Sequence, residues 1–496
     1  MLTTTLLKGM SCGSIRASLR TRALAQQFMM STSAPKTEPP VLFESNLALR
    51  TYILNRPLKL NALDEHMLTL LRPKIEEWNA SELCGTIVGT GVGRAFCAGG
   101  DVENVVEKAL NPETRSHAVD FFKREFEMDY FLATLRKPYV AILDGHTLGG
   151  GFGLAAHAPF RIATENTVFG MPETKIGYSP DVGASYFLSR MDGELGTYLG
   201  LTGNFLRGRA VFEHGFATHY IPAQRIPVLL DRLAGLENVH VSVIDRTIEE
   251  FSQERLPEES PAPFIGDKRD ALDFAFRHDR AEKIFDDLKA LTSHKNLSIA
   301  QWATETLATL RMRSPTSLKV ALKAIRAGKS LTLLEAFNME LKIAAAFCNG
   351  ASPDFATGVH AVLVEKAKGR PQWSPSELED VSDEMVSRFF APTSPYLASA
   401  PTLSIPEHVS AVTSRPMKYA LPTEDEIGSL VRGSHSAGGG SGISLEELLA
   451  KFNDLRQGKM GVKEKVLEVA RRKCEVTDNA DGNFVWLKWK HSLRQP

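Results

Sequence analysis

The chain has 496 residues, 43% hydrophobic and 24% charged, an ordinary balance for a globular protein that buries a real core in more than one domain. Its 58 Lys and Arg against 59 Asp and Glu leave a formal charge of −1, which excludes a global electrostatic pull toward nucleic acid or an anionic membrane. No run of 18 apolar residues is present, and Cys12, Cys84, Cys97, Cys348 and Cys474 lie at neither disulfide-framework nor zinc-ligand spacing; a spanning helix and a structural metal are therefore not expected, and the thiols suit a reducing compartment.

Residues 1–37 carry Lys8, Arg16, Arg20, Arg22 and Lys36, no acid, and many Ser, Thr, Ala and Leu. That is the composition of a mitochondrial transit peptide and predicts a matrix protein. Leu47 to Leu54 then reads as a strand closed by a turn at Asn55-Arg56-Pro57. Met67, Leu68, Leu71, Ile75 and Trp78 recur at helical spacing, with Pro73 among them predicting a kink or an early stop. Gly85 to Gly89 and Tyr139 to Leu143 read as short buried strands, and Arg161–Ala163 with Val168–Phe169 as a strand pair. Strand and helix signals alternate to about Leu236, which predicts an α/β layered fold over 38–240. Beyond it, over 241–391, the strand signal fades and Leu318–Leu333 and Leu334–Phe347 read as amphipathic helices.

Residues 392–496 differ again. Six prolines between Pro392 and Pro422 predict an extended connector. Thr423 with Glu426, and Ser444 with Glu447, have capping-box spacing and predict two helix starts, separated by a Gly/Ser linker over 436–442. The last 46 residues carry 11 Lys and Arg against 6 Asp and Glu. Lys463, Lys465, Arg471, Arg472, Lys473, Lys488 and Lys490 are candidates for phosphate contacts, and Trp486 and Trp489 for packing on a partner. A solvated face with a local core is the plainer alternative.

Two Gly-rich turns carry the chemistry: Phe96-Cys97-Ala98-Gly99-Gly100-Asp101, and Asp144 to Gly153, with Gly149-Gly150-Gly151 at its centre. The second follows the buried strand and leads into a helix-like run, so its N–H groups point at developing negative charge. Gly151 to Ala156 also matches a dinucleotide fingerprint, but about seven residues separate it from Leu143, whereas a Rossmann turn follows its strand tightly. The segment Met171 to Gly183 places Glu173 and Asp181 in a loop, an arrangement that suits acid–base or nucleophilic work on a carbonyl, although two acids in a loop are by themselves more often solvated surface. Lone His146 and His157 read as structural.

Together these segments, with Asn55-Arg56-Pro57 and Asn61-Ala62-Leu63, resemble the crotonase (enoyl-CoA hydratase/isomerase) superfamily. The resemblance implies a spiral of ββα units, a helical C-terminal region and frequent trimers, with an added extension here. It also implies that the Gly100 and Gly150 N–H groups hold a thioester oxygen. Gly153 stands where hydratases of the family carry a glutamate, which argues against hydration of a double bond. Thr202-Gly203, Gly215 to Tyr220 and Ser314 to Lys319 are instead similar to the 3-hydroxyisobutyryl-CoA hydrolases, whose substrate-site positions fall on Glu125, Gly150, Glu173 and Asp181. Gly183-Ala184-Ser185, Ser179 and Ser189 depart from that pattern. The implied reaction is hydrolysis of 3-hydroxyisobutyryl-CoA to 3-hydroxyisobutyrate and CoA, a step of valine breakdown, with no cofactor beyond the CoA of the substrate. The resemblance further implies that Glu173 attacks the thioester carbonyl or activates water for that attack, that Asp181 orients the substrate hydroxyl or assists proton transfer, and that Glu125 lines the acyl pocket. The extension resembles that of fungal family members found in the mitochondrial small ribosomal subunit. This implies a second role, or a sole non-catalytic one, docked through residues 396–496.

Overall fold

The computed structural model describes residues 38–237, 240–405, 416–434, 442–478 and 485–490. The leader over 1–37, part of the Pro-rich connector and the Gly/Ser linker through Ser441 lie outside the described residues. Residues 40–496 cluster as one unit.

Two sheets organise the first part of the chain. A six-stranded sheet has the order β1 (Val41–Asn46), β2 (Leu49–Leu54), β3 (Thr86–Gly91), β5 (Tyr139–Leu143), β7 (Phe160–Ala163), β10 (His219–Tyr220). All its pairs beyond the antiparallel β1–β2 hairpin are parallel. A second sheet runs β4 (Ala95–Cys97), β6 (His146–Leu148), β8 (Val168–Gly170), β9 (Leu206–Arg207). Successive pairs β3–β4, β5–β6 and β7–β8 each send one strand to the large sheet and the next to the small one. This is the ββα spiral that the resemblance implies. Every residue of β5 is buried, as its unbroken apolar sequence requires in the middle of a parallel sheet.

Several expectations need correction. The first strand of the large sheet, β1, lies outside the expected set, and β2 begins at Leu49 because Leu47 takes a left-handed turn conformation (φ 49°). The helix Glu65–Ala80 runs through Pro73; Met67, Leu68, Leu71, Ile75 and Trp78 flank the proline and are all buried, so the early stop does not occur and packing on both sides carries the helix past the proline. The segments 160–163 and 168–170 do not pair with each other but stand in different sheets.

After residue 240 the chain is mainly helical. Pro315–Gly328 and Leu333–Cys348 are separated by a break at which Thr332 and Glu335 form a capping box. In the extension, both expected boxes cap helices Glu424–Val431 and Leu445–Leu455. A third helix, Val462–Lys473, leads into the antiparallel pair β11 (Cys474–Asp478) and β12 (Val485–Trp489).

The extension is joined to the rest by polar contacts, and these, together with contacts inside the extension, engage four of the seven basic residues that were candidates for phosphate contact. Arg161, fully buried, donates to the carbonyl of Pro416 at 2.8 Å. Lys465 pairs with Asp192 at 2.6 Å, and Lys459 donates to Glu249 at 3.1 Å. Arg472 is buried and bonded to Glu424 at 2.5 Å and Glu468 at 2.8 Å, while Arg269 reaches the same Glu424 at 3.0 Å. Lys473 faces Asp270 and Asp273, and Lys490 donates to the carbonyl of Arg472. Trp489 lies under Arg432 and against Gly428, and Trp486 lies against Gly442. Buried charges need partners nearby, and the fold itself supplies them. Of the candidate phosphate contacts, Lys463, Arg471 and Lys488 are exposed.

Candidate active site

Three neighbouring strand ends assemble the centre. In the small sheet β4, β6 and β8 are parallel neighbours, so their carboxyl ends lie side by side. β4 ends into Gly99-Gly100, β6 into Gly149-Gly150, and β8 into Met171-Pro172-Glu173. The Gly-rich turn thus follows β6, a strand of the small sheet that fills the gap after Leu143. A Rossmann crossover is ruled out by that register.

Glycine is required at these ends for stated reasons. Gly99 and Gly149 have φ of 114° and 49°, backbone that side chains rarely adopt. A β-carbon on Gly149 would stand 2.8 Å from Glu173 Oε1, and one on Gly150 would stand 2.2 Å from Glu125 Oε1 and 3.2 Å from Gly100 N. The triple glycine is therefore a floor on which two carboxylates rest. Gly150 is the first residue of the helix Gly150–Ala156, where an N–H has no partner within the helix. Neither Gly100 N–H nor Gly150 N–H donates to a carbonyl among the described turn, loop and cap bonds. Two such donors at one place can hold a developing oxyanion.

Four carboxylates gather around this floor, all buried: Glu125 and Asp129 from the helix Arg115–Ala133, Glu173 at the start of a 3-10 turn, and Asp181 from the loop beyond it. Glu125 Oε1 and Glu173 Oε2 have no hydrogen-bond partner among the described residues. Burial raises the Glu173 carboxyl to about 8, and burial with the neighbouring Glu173 raises Glu125 to about 8. Burial, then Glu125 and Glu173, push Asp181 well above the usual carboxylate range, against the hydrogen bond from Tyr178 Oη at 3.0 Å. Like charges this close in a dry site cannot all ionise, so the cluster holds protons near neutral pH and can both give and accept them.

The loop carrying Asp181 is fixed from behind by Glu340 of the helix Leu333–Cys348. Its carboxylate accepts from Gly183 N at 2.6 Å, Ser185 N at 2.8 Å and Ser185 Oγ at 2.5 Å. Val182 and Gly183 take positive φ of 53° and 83° to present those N–H groups. Of the serines that depart from the family pattern, Ser185 is therefore bonded to Glu340. His157 is buried among Tyr186, Phe187 and Phe337, and burial holds its imidazole down at about 3, a neutral core side chain.

All five positions named from sequence, Gly100, Glu125, Gly150, Glu173 and Asp181, converge. Asp129, Tyr178 and Glu340 did not stand out in the sequence. The available signals were slight: Asp129 lies four residues after Glu125 on one helix face, and Glu340 interrupts an apolar helix. Cavities of about 530 and 590 Å3 border the extension, lined among others by Lys463 and by Arg472. They share no lining residue with the carboxylates, so the site is identified by its chemistry rather than by void volume.

A model of the enoyl-CoA hydratase/isomerase family matches residues 49–390. Small ribosomal subunit protein mS47 of Neurospora crassa is 40% identical over 492 residues, 95% of this chain and 94% of that protein. Mitochondrial 3-hydroxyisobutyryl-CoA hydrolase of Gallus gallus is 38% identical over 340 residues, 68% of this chain and 85% of the relative. The crystal structure of a carnitinyl-CoA dehydratase from Mycobacterium thermoresistibile aligns with a TM-score of 0.63 at 31% identity, over 73% of this chain and 98% of that one.

Proposed function

The chain belongs to the enoyl-CoA hydratase/isomerase family, and from that premise we propose that it hydrolyses the thioester of 3-hydroxyisobutyryl-CoA in mitochondria. The observation that carries this reading is the pairing of two N–H groups, Gly100 and Gly150, with Glu173 and Glu125 resting on the same glycine floor. The N–H pair takes the charge that develops on the thioester oxygen. Glu173, in its ionised form, either attacks the carbonyl carbon, expelling CoA thiolate and leaving an anhydride that water then hydrolyses, or takes a proton from the attacking water and passes it to the departing CoA sulfur. Asp181, steadied by Tyr178 and by the Glu340-bound loop, orients the substrate hydroxyl, and Glu125 walls the acyl chain. The reaction so drawn uses side chains, backbone N–H groups and the CoA of the substrate.

CoA release from 3-hydroxyisobutyryl-CoA by the full chain tests it, with Glu173→Gln as control. Turnover that vanishes in the variant supports the reading; an inactive wild-type protein of native fold refutes it. Single turnover in heavy-oxygen water separates the two roles of Glu173, since label enters the glutamate only if it attacks.

A second role is favoured by one observation: the Neurospora crassa relative, a small ribosomal subunit protein, covers 95% of this chain and so spans the extension. We propose that the extension docks this chain on the mitochondrial small subunit. Deleting 396–496 would strip partners from Arg161, Arg269 and Asp192 and confuse docking with folding. Charge reversal of the exposed Lys463, Arg471 and Lys488 is the cleaner test. Loss of co-sedimentation with small subunits, with the fold kept, supports docking; sedimentation unchanged refutes that surface.

A further inference from the structure

Resting on the thioester reading, we infer that Asp129 is a specificity-determining wall of the acyl site, a second hydrogen-bonding group that selects hydroxylated acyl chains over alkyl chains of equal length. Asp129 follows Glu125 by one helical turn, so both side chains leave the same face of the helix Arg115–Ala133. That face packs on the helix Gly150–Ala156 in register. Glu125 Oε1 lies over Gly150, and Asp129 Oδ2 lies over Gly153, 2.3 Å from where a β-carbon would be. The absent side chain at 153 is thus matched by a carboxyl group arriving from the opposite helix. The same β-carbon position is 2.7 Å from Cβ of Val182, the residue after Asp181, which places Asp129 beside the substrate-orienting loop.

Asp129 is 0% exposed, and neither of its oxygens has a hydrogen-bond partner among the described residues. Two partnerless oxygens on one buried group cost free energy unless something arrives to satisfy them. Burial, then Glu125, Asp181 and Glu340, raise its carboxyl well above the usual range, so the neutral acid both donates and accepts. A hydroxyl is the complementary group, since it too does both. An alkyl chain in the same place leaves the acid unsatisfied, which is the condition under which buried polar sites reject isosteres most strongly.

The test compares 3-hydroxyisobutyryl-CoA with isobutyryl-CoA in the full chain, by kcat/KM and by dissociation constants from calorimetry. The variants are Asp129→Ala and Asp129→Asn. The preference of the wild type for the hydroxylated thioester is expected to fall by about 10-fold or more in the alanine variant, as for loss of one buried hydrogen bond. The asparagine variant, which still donates and accepts, is expected to retain the preference within about threefold. Each ratio is taken within one protein, so partial misfolding cancels. Preference unchanged in Asp129→Ala overturns this inference and leaves the hydrolase reading standing. A wild-type protein that neither binds nor hydrolyses either thioester overturns both.

Discussion

Adjacent glycines in the central turn are expected to fail in different ways when each becomes alanine. At Gly150 the new methyl would meet Glu125 Oε1 at 2.2 Å, the far end of a flexible side chain, and Gly100 N at 3.2 Å. The carboxylate can swing away, at an overpacking cost of about 1–3 kcal/mol, partly offset by the higher helix propensity of alanine, about 1 kcal/mol. The fold should survive. The oxyanion donors would not keep their geometry, and loss of one donor is worth about 2.7–4 kcal/mol, or 100- to 1,000-fold in kcat. At Gly151 the methyl would meet Cys97 O at 2.1 Å and Cys97 C at 2.8 Å. That is backbone of β4, held by its ladder to β6, and it cannot yield without parting strand from helix. Gly151→Ala should therefore cost about 3 kcal/mol or more, at the upper end of overpacking. Urea unfolding of both variants, with CoA release from the thioester, measures the contrast. If Gly150→Ala keeps activity within about threefold, or if Gly151→Ala is no less stable than Gly150→Ala, the reasoning from the glycine floor is wrong.

Other outcomes follow from the same structure. Burial holds Glu125 at about 8 against an ordinary 4.5, so the folded state keeps a proton that the unfolded chain releases. That stabilisation is complete below about pH 4.5 and is lost as pH rises through 8. Glu125→Gln, which cannot ionise, should gain on the wild type above pH 8 by a few kcal/mol at most and show no such gain near pH 4; denaturant titrations at both values would tell. Thioester hydrolysis should rise with pH through about 8 as Glu173 ionises, and a flat profile would remove Glu173 from the reacting group. Glu340→Ala leaves the N–H groups of Gly183 and Ser185 without their acceptor, so roughly 2–4 kcal/mol of stability and most of the turnover should go together. Arg472→Met leaves Glu424 with Arg269 as its remaining buried partner and takes the guanidinium from Glu468, an expected loss of about 1–3 kcal/mol readable by thermal melts at two ionic strengths.

Local signals in the sequence determined a good deal. The capping boxes at Thr423 and Ser444, the buried run Tyr139–Leu143 and the order of the Gly-rich turns are written in contiguous residues, because caps, pleats and tight turns obey short-range sterics. The family resemblance then carried Glu125, Glu173, Asp181, Gly100 and Gly150 to one place, and the fold assembles them there. Tertiary structure decided the rest. Asp129 and Glu340 are acids on helices until packing brings one over Gly153 and the other under Ser185. Pro73 reads as a breaker until the flanking apolar residues are buried together. The basic tail reads as a phosphate-binding arm, yet Lys465, Arg472 and Lys473 are taken up by Asp192, Glu424, Glu468 and Asp270. A charge pattern records how many charges a segment carries, while which charges remain for a partner depends on acids such as Asp192 and Asp270, hundreds of residues away, that only folding brings within reach.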